Sequence, residues 1–114
     1  MTMQFRRSAV LPNTALVRVL GHLMGDWTPE KCGGYLDTMI VPSQWIDKVV
    51  DYIRDKPDLW FVGEDEFVES AVAASPVLAP LLRTPRFRLW LRKASGDLRI
   101  RMPGLMIRQL FGGA

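Results

Sequence analysis

The apolar positions switch between a helical and an alternating period along the chain, and each stretch predicts an element. Leu16, Val19, Leu20, Leu23 and Met24 recur at helical spacing behind Pro12-Asn13, where Asn13 suits a helix N-cap, and Gly25 ends the stripe. Ahead of it Phe5 to Leu11 reads as a short strand, and the breaker-rich run from Gly25 through Gly34 reads as a loop. Tyr35 to Val41 predicts a second short strand, closed by Pro42, whose fixed φ suits the first turn of a helix. Ile46, Val49, Val50 and Ile53 then fall at i, i+3, i+4 and i+7, widened by Trp45 and Tyr52, which predicts an amphipathic helix from Ser43 until Pro57 forbids it. After a connection, Glu64-Asp65-Glu66 puts negative charge on the first turn of another helix, which carries Phe67, Val68, Ala71 and Val72 and ends at Ser75-Pro76. Val77 to Leu82 is apolar but broken by Pro80, and fits a short helical turn or a packed linker equally well.

Arg86 to Lys93 and Asp97 to Met102 both alternate strictly about Ala94-Ser95-Gly96-Asp97, the pattern of a β-hairpin turning at Ser95-Gly96. In that register Phe87, Leu89, Leu91, Leu98, Ile100 and Met102 share one face, while Arg86, Arg88, Trp90, Arg92, Arg99 and Arg101 share the other. The expected fold class is α+β. It is a single domain over 1–114, made of an N-terminal extension (1–34), a strand-helix-helix centre (35–75) and a basic hairpin with its tail (83–114).

Charge sharpens this division. Over 114 residues the net charge is +3, but residues 35–82 carry −6 and residues 83–114 carry +7, so the basic character belongs to the C-terminal segment. Apolar residues at 48% and charged residues at 24% suit a folded protein. The single cysteine, Cys32, forms no internal disulfide, and no N-terminal targeting pattern is evident, which places the chain in a reducing cytoplasm. No apolar run approaches the roughly 20 residues that span a bilayer.

The run Thr38-Met39-Ile40-Val41-Pro42-Ser43-Gln44-Trp45-Ile46-Asp47-Lys48-Val49-Val50, followed by Gly63-Glu64-Asp65-Glu66-Phe67-Val68-Glu69-Ser70-Ala71-Val72, resembles the ribbon-helix-helix family of transcription regulators. The resemblance implies a homodimer in which two strands pair into a ribbon that enters the major groove of DNA. It turns Met39 and Val41 inward and Leu36, Thr38 and Ile40 outward. Of these three only Thr38 can hydrogen-bond a base edge, and the acidic start of the second helix repels the phosphate that such a helix end would bind. The hairpin can supply the missing contacts. Arg92 opposite Arg99 is a like-charge pair that a polyanion relieves, and Trp90 beside Arg101 can stack on a base or hold a cation–π contact. The same face is equally accounted for as a solvated hairpin surface.

Catalytic and metal chemistry has little to build on. His22 and Cys32 are each the only residue of their kind; one Cys and one His fall short of a zinc site, and Gly33-Gly34 lacks the context of a phosphate loop. Asp47, Asp51, Asp55 and Asp58 trace a solvent face that can also dock a basic partner. Trp27, Trp45, Trp60, Tyr35 and Phe61 are read as core or interface aromatics.

The first expectation is therefore a non-enzymatic, cofactor-free DNA-binding regulator, contacting nucleic acid through Arg86, Arg88, Trp90, Arg92, Arg99, Arg101 and Thr38. The second is a protein-interaction module that reads no DNA. Leu36, Met39, Ile40, Val41, Trp60 and Phe61 are its candidate partner and dimer surface. No small-molecule substrate is evident from the sequence.

Overall fold

The computed structural model describes residues 13–54 and 64–101. Every element in them is helical: α1 (Asn13–Met24), α2 (Pro29–Thr38), α3 (Ser43–Arg54), α4 (Glu64–Ala74), a 3-10 turn (Pro76–Leu78), α5 (Ala79–Leu82) and α6 (Pro85–Arg101). α1, α3 and α4 stand where the helical spacing placed them, and the apolar stretch around Pro80 is a 3-10 turn running into α5. The strand expected at Phe5 to Leu11, and Trp60 and Phe61, lie outside the described residues.

Two expectations are overturned, and with them the α+β class. Residues Tyr35 to Thr38, expected in a strand, form the last turn of α2, and Met39 ends the helix in the left-handed region (φ 55°) with its N–H donating to Tyr35 O. The helix starts by ordinary means inside the segment read as a loop. Thr28 is the N-cap, accepting from Lys31 N at 3.1 Å, Pro29 sits in the first turn, and Glu30 complements the dipole. Gly33 and Gly34 cost the helix about 1 kcal/mol each, but Cys32 and Leu36, four residues apart, bury themselves in the core. Residues 35–41 form no strand, so the strand-helix-helix arrangement expected of the centre is overturned with the α+β class.

The second correction is the hairpin, which is one 17-residue helix, α6. Phe87, Trp90, Leu91, Ala94 and Leu98, at i, i+3, i+4, i+7 and i+11, are all wholly buried, so the segment carries a helical stripe beneath its alternation. Local chemistry favours the helix. Thr84 Oγ1 accepts from Phe87 N at 3.3 Å, Pro85 takes the first turn, and Arg99 and Arg101 sit at the negative end of the helix dipole. Ile100 is the only β-branched residue between Pro85 and Arg101, the others being mostly good helix formers. In the helix Arg92 and Arg99 are no cross-strand pair.

α1 packs on α3 and α4, and α6 packs against α2, α3, α4 and α5. The buried residues of these helices form one continuous apolar cluster. Trp90 is its aromatic hub. Its ring meets Trp27 edge-on (centroids 5.6 Å apart) and Trp45 edge-on (5.1 Å), and stacks on Phe87 (5.7 Å). Its Nε1–H donates to Ile40 O at 2.6 Å, tying α6 to the loop that follows α2. Among the described residues no helix is long and apolar enough to cross a membrane.

Candidate functional site

The opposite charges of the middle and C-terminal segments meet inside the chain. Arg83 pairs with Glu69 at 2.9 Å, Arg86 with Asp37, Arg88 with Asp65 at 2.7 Å and Glu64 at 3.4 Å, and Arg101 with Asp47 at 2.9 Å. Arg92 grips Glu64 by two bonds, Nε to Oε2 at 2.5 Å and Nη2 to Oε1 at 3.1 Å. Hydrogen bonds and charge from these acids hold the guanidinium pKa values above the ordinary arginine value: Asp65 first and then Glu64 for Arg88, and Glu64 for Arg92. Exposed pairs of this kind are individually weak, because solvent screens them and holding two long side chains in place costs entropy. Their collective effect is to rivet α6 to α2, α3 and α4 and to spend most of its cationic field internally.

What α6 leaves outward is a different surface from the cationic face read from the sequence. Leu89, Lys93, Gly96 and Ile100 lie at i, i+4, i+7 and i+11 along its outer side. Leu89 is 51% and Ile100 79% exposed, and nothing lies within 4 Å above Gly96. Lys93 and Arg99 are exposed and make no ion pair to a described residue. The half-exposed Ile40 belongs to the loop bonded to Trp90, beside this helix.

The residues singled out by sequence are thus dispersed. Trp90 is wholly buried, so its outward placement is corrected. Arg86, Arg88, Arg92 and Arg101 are on the surface but paired, and of the arginines singled out on this helix Arg99 alone makes no ion pair to a described residue. Thr38 Oγ1 donates to Gly34 O at 2.8 Å within its own helix. Leu36 is buried, Met39 and Val41 pack on the core, and Ile40 alone of that group stays exposed. Leu89 and Ile100, assigned inward by the alternation, face out; helical spacing from Phe87 to Leu98 was the signal that separates them. Asp47 and Asp51 of the acidic face are engaged by Arg101 and Arg54.

Cys32 and His22 do not meet in one cleft: Cys32 lies in the core, and His22 is exposed on α1. Burial pushes the Cys32 thiol up to about 11. The thiolate form is disfavoured in the folded protein, so the stability this gives is fully present below pH 9 and is lost as pH rises through about 11. Ellman's reagent at pH 8 is therefore expected to label Cys32 only as fast as the protein opens, and Cys32→Ala should flatten the fall in stability between pH 9 and 11. Rapid labelling of the folded protein would contradict this burial.

Comparison of the chain with family models, curated proteins and solved structures returned no match.

Proposed function

We propose that this chain is a non-catalytic helical binding module that presents the outer face of α6 to a protein partner. One observation carries the reading: Leu89 and Ile100 stand exposed on the same helical line as Lys93 and Gly96, with Arg99 beside them. Large aliphatic groups on a solvent-facing helix gain by entering an apolar groove, the helix-in-groove mode of recognition. Gly96 leaves room for close approach. Lys93 and Arg99, which make no ion pair to a described residue, suit a groove rimmed by acidic side chains, which would also speed the encounter.

A DNA-binding reading through the same helix is less well supported. Phosphate contacts draw on free Arg and Lys, whereas Arg86, Arg88, Arg92 and Arg101 are held by acids. Leu89 and Ile100 have no use against a phosphate backbone.

The test is a photo-crosslinking amino acid placed at Lys93, with the same group at exposed Glu30 as the control, in cells that express the protein. A discrete protein adduct is expected from position 93 alone, and it should disappear in the Leu89→Ser, Ile100→Ser double variant, which alters only exposed positions. In parallel, random duplex DNA should bind weakly in fluorescence anisotropy. Tight, salt-sensitive DNA binding that is lost in Lys93→Ala with Arg99→Ala would replace this reading with the nucleic-acid one, and equal crosslinking from both positions would end it.

A further inference from the structure

A second feature is built from α1 and α3 and shares no lining residue with the α6 face. α1 and α3 enclose between them an open groove of about 550 Å³, lined by Arg18, Val19, His22, Lys48, Asp51 and Tyr52. The contributing residues are spaced i, i+1, i+4 on α1 and i, i+3, i+4 on α3, so each helix turns one face into it. Val19 and the ring of Tyr52 are half-buried and give the groove an apolar floor, while the exposed Arg18, His22 and Lys48 bring cationic and hydrogen-bond-donating groups to its rim.

The cations of this groove differ from the paired arginines of the C-terminal segment. Arg83, Arg86, Arg88, Arg92 and Arg101 are each matched to an acid from another part of the chain. Arg18 and Lys48 make no ion pair to a described residue, and the one carboxylate among the described lining residues, Asp51, is engaged by Arg54 at 3.4 Å. Like charges converging on a concavity raise the local concentration of anions. Burial pushes the Tyr52 phenol above its ordinary pKa against the opposing pull of Arg18. A volume of this size is that of a small-molecule site, and apolar walls with a few converging polar groups are its usual chemistry.

We infer that the α1–α3 groove binds a small amphipathic anion, an aryl or alkyl body seated on Val19 and Tyr52 with a phosphate or carboxylate head held by Arg18 and Lys48. His22, one turn from Arg18, is the third group able to donate to that head.

The test is a two-dimensional amide NMR titration of the whole chain with phenyl phosphate, benzoate and inorganic phosphate. Phenyl phosphate and benzoate are expected to move the resonances of 18–22 and 48–52 first, the stronger of the two naming the head group. Inorganic phosphate, lacking the apolar body, should bind at least tenfold more weakly than phenyl phosphate. Arg18→Gln with Lys48→Gln should lower the affinity at least tenfold while leaving the rest of the spectrum in place, and Lys93→Gln, outside the groove lining, should leave it unchanged. The inference is overturned if neither aryl anion shifts these residues at millimolar concentration, if inorganic phosphate binds as well as phenyl phosphate, or if Lys93→Gln weakens binding as much as the groove pair.

Discussion

Trp90→Ala is expected to cost about 3–5 kcal/mol of stability, as large aromatic truncations in packed cores do. A domain of this size has about 5–15 kcal/mol in total, so the variant should be partly or wholly unfolded at 37 °C. The side chain is wholly buried, three aromatic rings contact it, and its Nε1–H is spent on Ile40 O at 2.6 Å. Removing it opens a cavity where α2, α3 and α6 converge and releases the loop after α2. Urea denaturation followed by circular dichroism measures the loss. A companion pair separates packing from hydrogen bonding. Trp90→Phe keeps much of the apolar contact but gives up the bond to Ile40, which should cost about 1 kcal/mol beyond the lost area. Trp45→Phe removes an indole N–H that is buried with no partner among the described residues, so its polar part should be neutral or favourable. A Trp90→Ala variant as stable as the parent would mean that the aromatic cluster is not the centre of the core.

Gly96→Pro carries the next largest effect, because it lies in the interior of α6. Proline there removes an i to i−4 hydrogen bond and drives its ring into the preceding turn, at a cost of about 3 kcal/mol or more. Gly96→Ala should act in the opposite sense. The site has open space on its outer side, and alanine in an exposed helix interior is about 0.5–1 kcal/mol better than glycine. The pair of signs decides between helix and hairpin. In a two-residue hairpin turn alanine at this position would be the damaging change, since glycine tolerates the positive φ such turns use. Thermal denaturation of both variants is sufficient, and alanine lowering the melting temperature would argue against α6.

The helices α1, α3 and α4 were readable because each carries one unambiguous apolar stripe between a breaker and a cap. α6 was misread because two periods coexist in it: Phe87, Leu89, Leu91 and Leu98, Ile100 alternate, while Phe87, Trp90, Leu91, Ala94 and Leu98 follow the helix. The alternation is reinforced by the arginines, which it sorts to one face. The helical stripe won because it is the one that buries Trp90, and Thr84-Pro85 offered a helix start that periodicity alone does not weigh. α2 was missed for the reverse reason. Gly33-Gly34 read as a turn, yet Thr28-Pro29-Glu30 is a helix start, and burial of Cys32 and Leu36 outweighs the glycines.

The sequence by itself determined three of the helices, the scarcity of catalytic groups and the opposition of an acidic middle to a basic end. It could not say what that opposition is for. Only the tertiary structure decided that the acids and arginines answer one another within the chain, as Arg92 does Glu64 across 28 residues and Arg101 does Asp47 across 54. It also decided that the outward residues of α6 are Leu89, Lys93 and Ile100, and that Arg18 and Lys48 share a groove. The physical reason is that periodicity is a local property, fixed by which residues a helix turns to one side. Which charge meets which, and what remains without a partner, depends on how the helices pack.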